Sequence, residues 1–129
     1  MKVSMNNVDT DVLLYLVVGE DVQVNIPSVV KVSSFNVGTY KDNKGDSHPW
    51  GNLTVCDADE LKKLASVGLE HDVQELKIKL KGYQDEDLKT YVGKNLDVSD
   101  LDLVFTTDFR NNINGLAFRG NLAELKEVK

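Results

Sequence analysis

Ser34-Phe-Asn-Val-Gly-Thr-Tyr-Lys-Asp-Asn-Lys-Gly-Asp-Ser-His-Pro-Trp-Gly-Asn-Leu-Thr-Val-Cys-Asp57 is the stretch whose reading decides the fold. It reads as two strands, Val29 to Tyr40 and Trp50 to Asp57, joined by a polar turn to which Asn43, Gly45 and Pro49 bring the turn chemistry. Alternation in the second strand puts Leu53 and Val55 on one face and Trp50, Asn52 and Thr54 on the other. The single tryptophan therefore sits among small polar groups at the mouth of a lysine-bearing hairpin, as a stacking platform for an unpaired base would require. The plainer alternative is that the indole covers a barrel end or a neighbouring loop.

On the N-terminal side, Val12 to Val18 is a continuous apolar run, broken by Gly19-Glu-Asp21 before the alternating Val22 to Ile26. The pattern predicts a strand, a turn and a strand; a short buried helix over Val12 to Val18 is the alternative that periodicity cannot separate in so short a run. On the C-terminal side, Asp57 as cap, Glu60 three residues on, an apolar stripe of Leu61, Leu64, Ala65 and Val67, and Gly68 as stop predict a short amphipathic helix with its stripe in the core. Val73 to Tyr83 returns to period two, with Leu76, Ile78 and Leu80 on one side and Lys77, Lys79, Lys81 and Tyr83 on the other. That second group is either a phosphate-facing surface or a solvated outer face that protects a sheet edge. A short helix is expected over Asp85 to Val92, then a strand over Leu101 to Thr107, a loop from Asp108 to Gly115 and a returning strand from Leu116 to Arg119. Leu122 to Val128 is read as a strand, with a short helix as the alternative.

The bulk numbers set limits on function. A chain of 129 residues, 41% hydrophobic and 28% charged, suits one globular domain, and its single cysteine excludes an internal disulfide. The opening MKVSMNNVDTD has no apolar core segment and Val12 to Val18 is too short to span a bilayer, so a soluble cytoplasmic protein without membrane contact is expected. A net charge of −6 argues against coating duplex DNA. The acids nevertheless gather in Asp57 to Glu60, Asp85 to Asp87 and Asp97 to Asp102, while the lysines lie elsewhere, so one face can still attract a phosphate chain.

Catalytic and cofactor signatures are missing from the sequence. Neither G-x-G-x-x-G nor G-x-x-x-x-G-K-[ST] occurs, His48 and His71 sit in different segments, and Cys56 has no second cysteine. A Cys56 and His71 pair can be drawn, but a buried strand thiol is the ordinary reading; Asp57 and Asp59 could pair, but the helix cap accounts for Asp57. The expectation is a protein that is not an enzyme and takes no cofactor or metal.

Several strands with a short helix among them outline a mainly β protein with one or two short helices, an OB-fold-like small Greek-key barrel with an extra N-terminal strand pair. Residues 1–27 form the extension and residues 28–129 the barrel of a single domain. Val30 to Asp57, with its glycine-bearing strand, K-x-x-K-G tip and aromatic on the return, resembles the first hairpin of single-stranded DNA-binding OB proteins, and Phe109-Arg110 to Arg119-Gly120 resembles their late hairpin. The chain is thus similar to the small single-strand binders and helicase-accessory proteins of Gram-positive conjugative plasmids, integrative elements and phages. The likeness covers roughly half the chain; the acidity and the segment Val12 to Ile26 depart from it.

The resemblance implies sequence-tolerant binding of single-stranded DNA, with RNA as the alternative strand. Bases would stack on Trp50 and Tyr40, with Tyr83, Phe35 and Phe109 as further contributors, the core being the alternative place for Phe35 because it shares a face with Val29 and Val37, while Lys41, Lys44, Lys77, Lys79, Lys81, Arg110 and Arg119 line the backbone path. Replication or transfer proteins and further copies of the chain would be partners. Two readings compete: a β-rich assembly or interaction subunit in which Trp50 meets protein, and an inhibitor that presents the carboxylates of Asp97, Asp100 and Asp102.

Overall fold

A computed structural model describes residues 2–17 and 23–128. In chain order the elements are strand β1 (Lys2–Ser4), a 3-10 turn at Met5–Asn7, helix α1 (Thr10–Val17), β2 (Gln23–Asn25), β3 (Val29–Lys41), β4 (Ser47–Asp57), helix α2 (Ala58–Ala65), β5 (Leu76–Leu80), β6 (Asn95–Asp97), β7 (Asp102–Thr107), β8 (Ile113–Gly120) and β9 (Lys126–Glu127). Further 3-10 turns span Glu70–Asp72, Lys89–Tyr91 and Leu122–Glu124. Among the described residues the protein is mainly β with two short α-helices.

One curled seven-stranded sheet carries the core, in the order β7-β8-β5-β4-β3-β6-β9. Three consecutive antiparallel strands, β3, β4 and β5, are followed by β6, which returns through a long connection to lie beside β3. That order, β6-β3-β4-β5, is a Greek key. β8 then joins β5 in the sheet's parallel pairing, and β7 closes antiparallel on β8. The inward residues Val30, Val32, Leu53, Val55, Leu76, Ile78, Leu96 and Phe118 are buried together with Met5 and Leu88.

The β3–β4 hairpin forms, but β4 begins at Ser47 and not at Trp50, so Pro49 lies in the strand opposite Thr39 and not in the turn, and one further feature is hidden by alternation. A bulge between Val32 and Ser34 shifts the register, so Val30, Val32 and Phe35 all face inward, and Phe35 pairs across from the buried Leu53. Beyond the bulge, Ser34, Asn36, Gly38 and Tyr40 face outward with Asn52 and Trp50. A side chain at Gly38 would begin 2.6 Å from the Trp50 ring, so the indole lies directly across the glycine of the facing strand.

Several expectations are corrected. Residues 10–17 form α1 instead of a strand, because the Asp9 carboxylate accepts the Val12 N–H at 3.0 Å and caps the first turn; Val18 lies outside the described residues. The extra strand pair is therefore β1 with β2, parallel and joined across α1, as parallel strands require a crossover. The helix after Asp57 forms with that residue as cap, but none of its residues is buried and Val67 is 67% exposed, so the stripe is only half used by the core. Asp85 to Val92 makes only the turn at Lys89–Tyr91, because Gly82 and Asp85 take left-handed backbone at φ 70° and 61° while Tyr83 and Leu88 are drawn into the core. Leu122 to Val128 divides into a 3-10 turn and the short β9.

Candidate nucleic-acid interface

The registers define what the outer face of the sheet displays. Asn36 lies opposite Asn52, Asn52 opposite Lys79, Lys79 beside Arg119 and Arg119 opposite Asp102, so one row crosses β3, β4, β5, β8 and β7. Lys77 follows one step down β5, beside Thr54. At the upper end of the row, Tyr40, His48, Trp50, Lys81 and Arg119 line a cleft of about 270 Å³. Trp50 is 38% exposed and Tyr40 54%, which leaves ring surface on both for a flat ligand.

The cations of this row are not ion-paired among the described residues, although Asp102 stands opposite Arg119 at its β7 end. Among the described residues, no carboxylate lies within 4.0 Å of Lys77, Lys79, Lys81 or Arg119. Several acids are meanwhile engaged locally. The Asp57 carboxylate caps α2, the Asp97 carboxylate accepts from the Ser99 hydroxyl and N–H, and Asp100 holds Lys126 at 2.6 Å. Those two Ser99 hydrogen bonds hold the Asp97 carboxyl below its ordinary pKa, and the Asp100 contact raises that of Lys126. Two of the three acids that an inhibitor would present are thus occupied within the chain.

A second opening lies where β5 and β8 splay apart. The turn at Met5–Asn7 wedges between them, with Asn6 Nδ2 donating to the Glu75 carbonyl at 2.8 Å, and a cleft of about 370 Å³ opens beside Lys77, Lys79, Thr106 and Asn114. Thr106 donates its hydroxyl to Asn114 Oδ1 at 2.7 Å, which leaves both hydrogens of the Asn114 amide for a ligand. Glu75 also lines this cleft and opposes an anion at its lower end.

The expected site residues thus divide. Tyr40, Trp50, Lys77, Lys79, Lys81 and Arg119 come together on the outer face. Lys41 alternates to the other side of the hairpin, opposite Ser47, and Lys44 is exposed at the tip, so both border the face without lying in it. Arg110 and Phe109 occupy the β7–β8 turn, where the guanidinium stacks on the ring at 5.3 Å. Because β8 runs from that turn toward Arg119, six residues of strand, about 20 Å, separate Ile113 from the row.

Tyr83 is the misplaced one. The strand ends at Leu80 and the left-handed Gly82 breaks the alternation, so the ring turns inward against Gly51 and Leu88 and is only 7% exposed. Its hydroxyl donates to the Glu86 carbonyl at 2.9 Å, and burial raises the phenol pKa. Tyr83 supplies a core wall under the cleft and not a stacking surface.

Two residues absent from the expected set belong to the site. His48 packs on Tyr40, with ring centroids 5.3 Å apart, and its Nε2 meets Asp42 Oδ2 at 2.7 Å. That hydrogen bond holds the Asp42 carboxyl below its ordinary pKa, assisted by the Asp46 N–H. Asn114 is the other. His48 is legible in principle, since a turn centred on Lys44 sets residue 40 against residue 48; Asn114 depends on a cleft between strands far apart in sequence.

Burial raises the pKa of the Cys56 thiol, the reverse of what a nucleophile needs, and its sulfur lies 3.8 Å from the Lys31 carbonyl. No cluster of three metal-ligating side chains occurs among the described residues, and no helix among them is long and apolar enough to cross a membrane. Comparison with protein-family profiles, curated proteins and solved structures gives no match.

Proposed function

We propose that the protein binds single-stranded nucleic acid, DNA in the first instance, without catalysing a reaction on it. The observation that carries this reading is the convergence of Trp50 and Tyr40 with Lys77, Lys79, Lys81 and Arg119 on one sheet face, the cations free of carboxylate partners among the described residues. Rings offer stacking surface to unpaired bases only, since paired bases already stack on their neighbours, so single strands are preferred over duplex. Ammonium and guanidinium groups beside the rings hold the backbone, which makes affinity fall with salt. Sequence tolerance follows because every base has a π-face.

The Greek-key order with a late hairpin added through a parallel pair supports an OB-like barrel, left open between β7 and β9. Action in the cytoplasm, in the DNA metabolism of plasmids, mobile elements or phages, belongs to the same proposal. The test is fluorescence anisotropy with labelled oligo-dT beside a duplex of equal length at two salt concentrations, with Trp50 emission followed in parallel. Salt-sensitive binding of the single strand with quenching is expected. Unchanged anisotropy at low salt would favour the second reading, a β-rich assembly subunit, which draws on the exposed Leu103, Phe105 and Phe109.

A further inference from the structure

The curled sheet ends on β7, an edge built unlike the rest of the surface. Among the described residues β7 pairs only with β8, so half of the backbone N–H and C=O groups of Asp102–Thr107 point away from the sheet without a strand partner. Natural edges are blunted by lysine, proline, bulges or inward charges. This one carries a single charge, Asp102 at its start, and its bulge falls at the far end, between Thr106 and Thr107. Its core-side residues Leu103 and Phe105 remain 40% and 50% exposed although they neighbour Phe118 and Leu116 of β8. Leu103 also walls an open groove of about 270 Å³ with Ile26, Val98 and Leu101.

We propose that β7 pairs antiparallel with β7 of a second copy, forming an isologous dimer whose two sheets continue into one. The strand's own order of residues selects a second copy as the occupant. About a twofold axis through Val104, Leu103 meets Phe105 of the second copy and Asp102 meets Thr106, so the exposed apolar pair on each copy covers the other and no like charges face within the paired stretch. The same axis sets Asp100 across from Asp108 just outside that stretch. Both are already held, Asp100 by Lys126 and Asp108 by the N–H groups of Arg110 and Asn112. Because such an axis stands perpendicular to the sheet, both outer faces look the same way, and the dimer presents two sets of Lys77, Lys79 and Arg119 on one surface.

Sedimentation and light scattering of the full chain test this over about a hundredfold range of concentration. The expected mass is twice 14.4 kDa at the upper end, falling on dilution. Phe105→Lys, at an exposed position, should give a monomer with an unchanged circular dichroism spectrum. Val104→Cys should form a covalent dimer on mild oxidation, whereas Thr107→Cys and the parent chain, whose Cys56 is buried, should not. A parent chain that stays at 14.4 kDa throughout overturns the proposal and leaves the edge to an extended segment of another protein. A dimer that survives Phe105→Lys and is not trapped by Val104→Cys overturns it equally.

Discussion

The protein has two long hairpins, each with an aromatic ring and a cation near its turn, and they are put together differently. In the β3–β4 hairpin, Trp50 rests across Gly38 and is joined by Lys81 and Arg119, which arrive from other parts of the sheet. At the β7–β8 turn, Phe109 is 90% exposed and stacks with the neighbouring Arg110. Under the proposed function, the difference teaches that exposure alone does not make a binding surface. A platform needs one side of the ring fixed by the fold and its charges supplied by strands distant in sequence, so that little ordering remains for the ligand to impose.

Trp50→Ala should break that comparison most strongly. Losing one stacked base costs about 1–3 kcal/mol, so oligo-dT affinity should fall about fivefold to 150-fold, while Phe109→Ala changes it less than about twofold. Equal losses in anisotropy titrations would erase the distinction between the hairpins. Gly38→Val comes next. Its side chain would start 2.6 Å from the indole, so overpacking should cost about 1–3 kcal/mol in urea unfolding and shift the Trp50 emission to the red.

Charge substitutions sharpen the same contrast at lower amplitude. Each phosphate that a single strand presents to a cation adds about 0.7 to the slope of log affinity against log salt, so Lys79→Gln and Arg119→Gln together should lower that slope by about 1.4. Arg110→Gln, remote from the row, should leave it unchanged. The smallest effect concerns the tip beside the platform. The Asp42 carboxyl is held below its ordinary value of 3.8, chiefly by His48, so its contribution to stability is present above 3.8 and is lost as pH falls through the lower folded value. Thermal unfolding should therefore show a loss of stability below pH 3.8 that is smaller in Asp42→Asn, and curves that superpose would mean the carboxylate contributes nothing.

Legibility in the sequence differs from residue to residue. The Lys77 and Lys79 face is legible because a strand's alternation is fixed by local geometry, and Leu76 and Ile78 are buried as that alternation requires. Tyr83 escapes the same rule because alternation does not survive a glycine that takes a left-handed backbone. The helix at residues 10–17 is hidden because an apolar run suits both a strand and a buried helix; the deciding signal, Asp9 as a cap, lies outside the run itself. Arg110 groups with Arg119 on sequence grounds because nothing in a sequence states which end of a strand faces a distant site.

From the sequence alone came the hairpin, the mainly β class, the cap at Asp57 and the faces of β4 and β5, since each depends on neighbours a few residues away. The bulge at Val32 and Ser34, the parallel union of β5 with β8, the cleft shared by Trp50 and Arg119 and the open edge at β7 were decided only by tertiary structure. Those features depend on which strands lie side by side, and that is set by burial across the whole chain, where no local pattern of residues reaches.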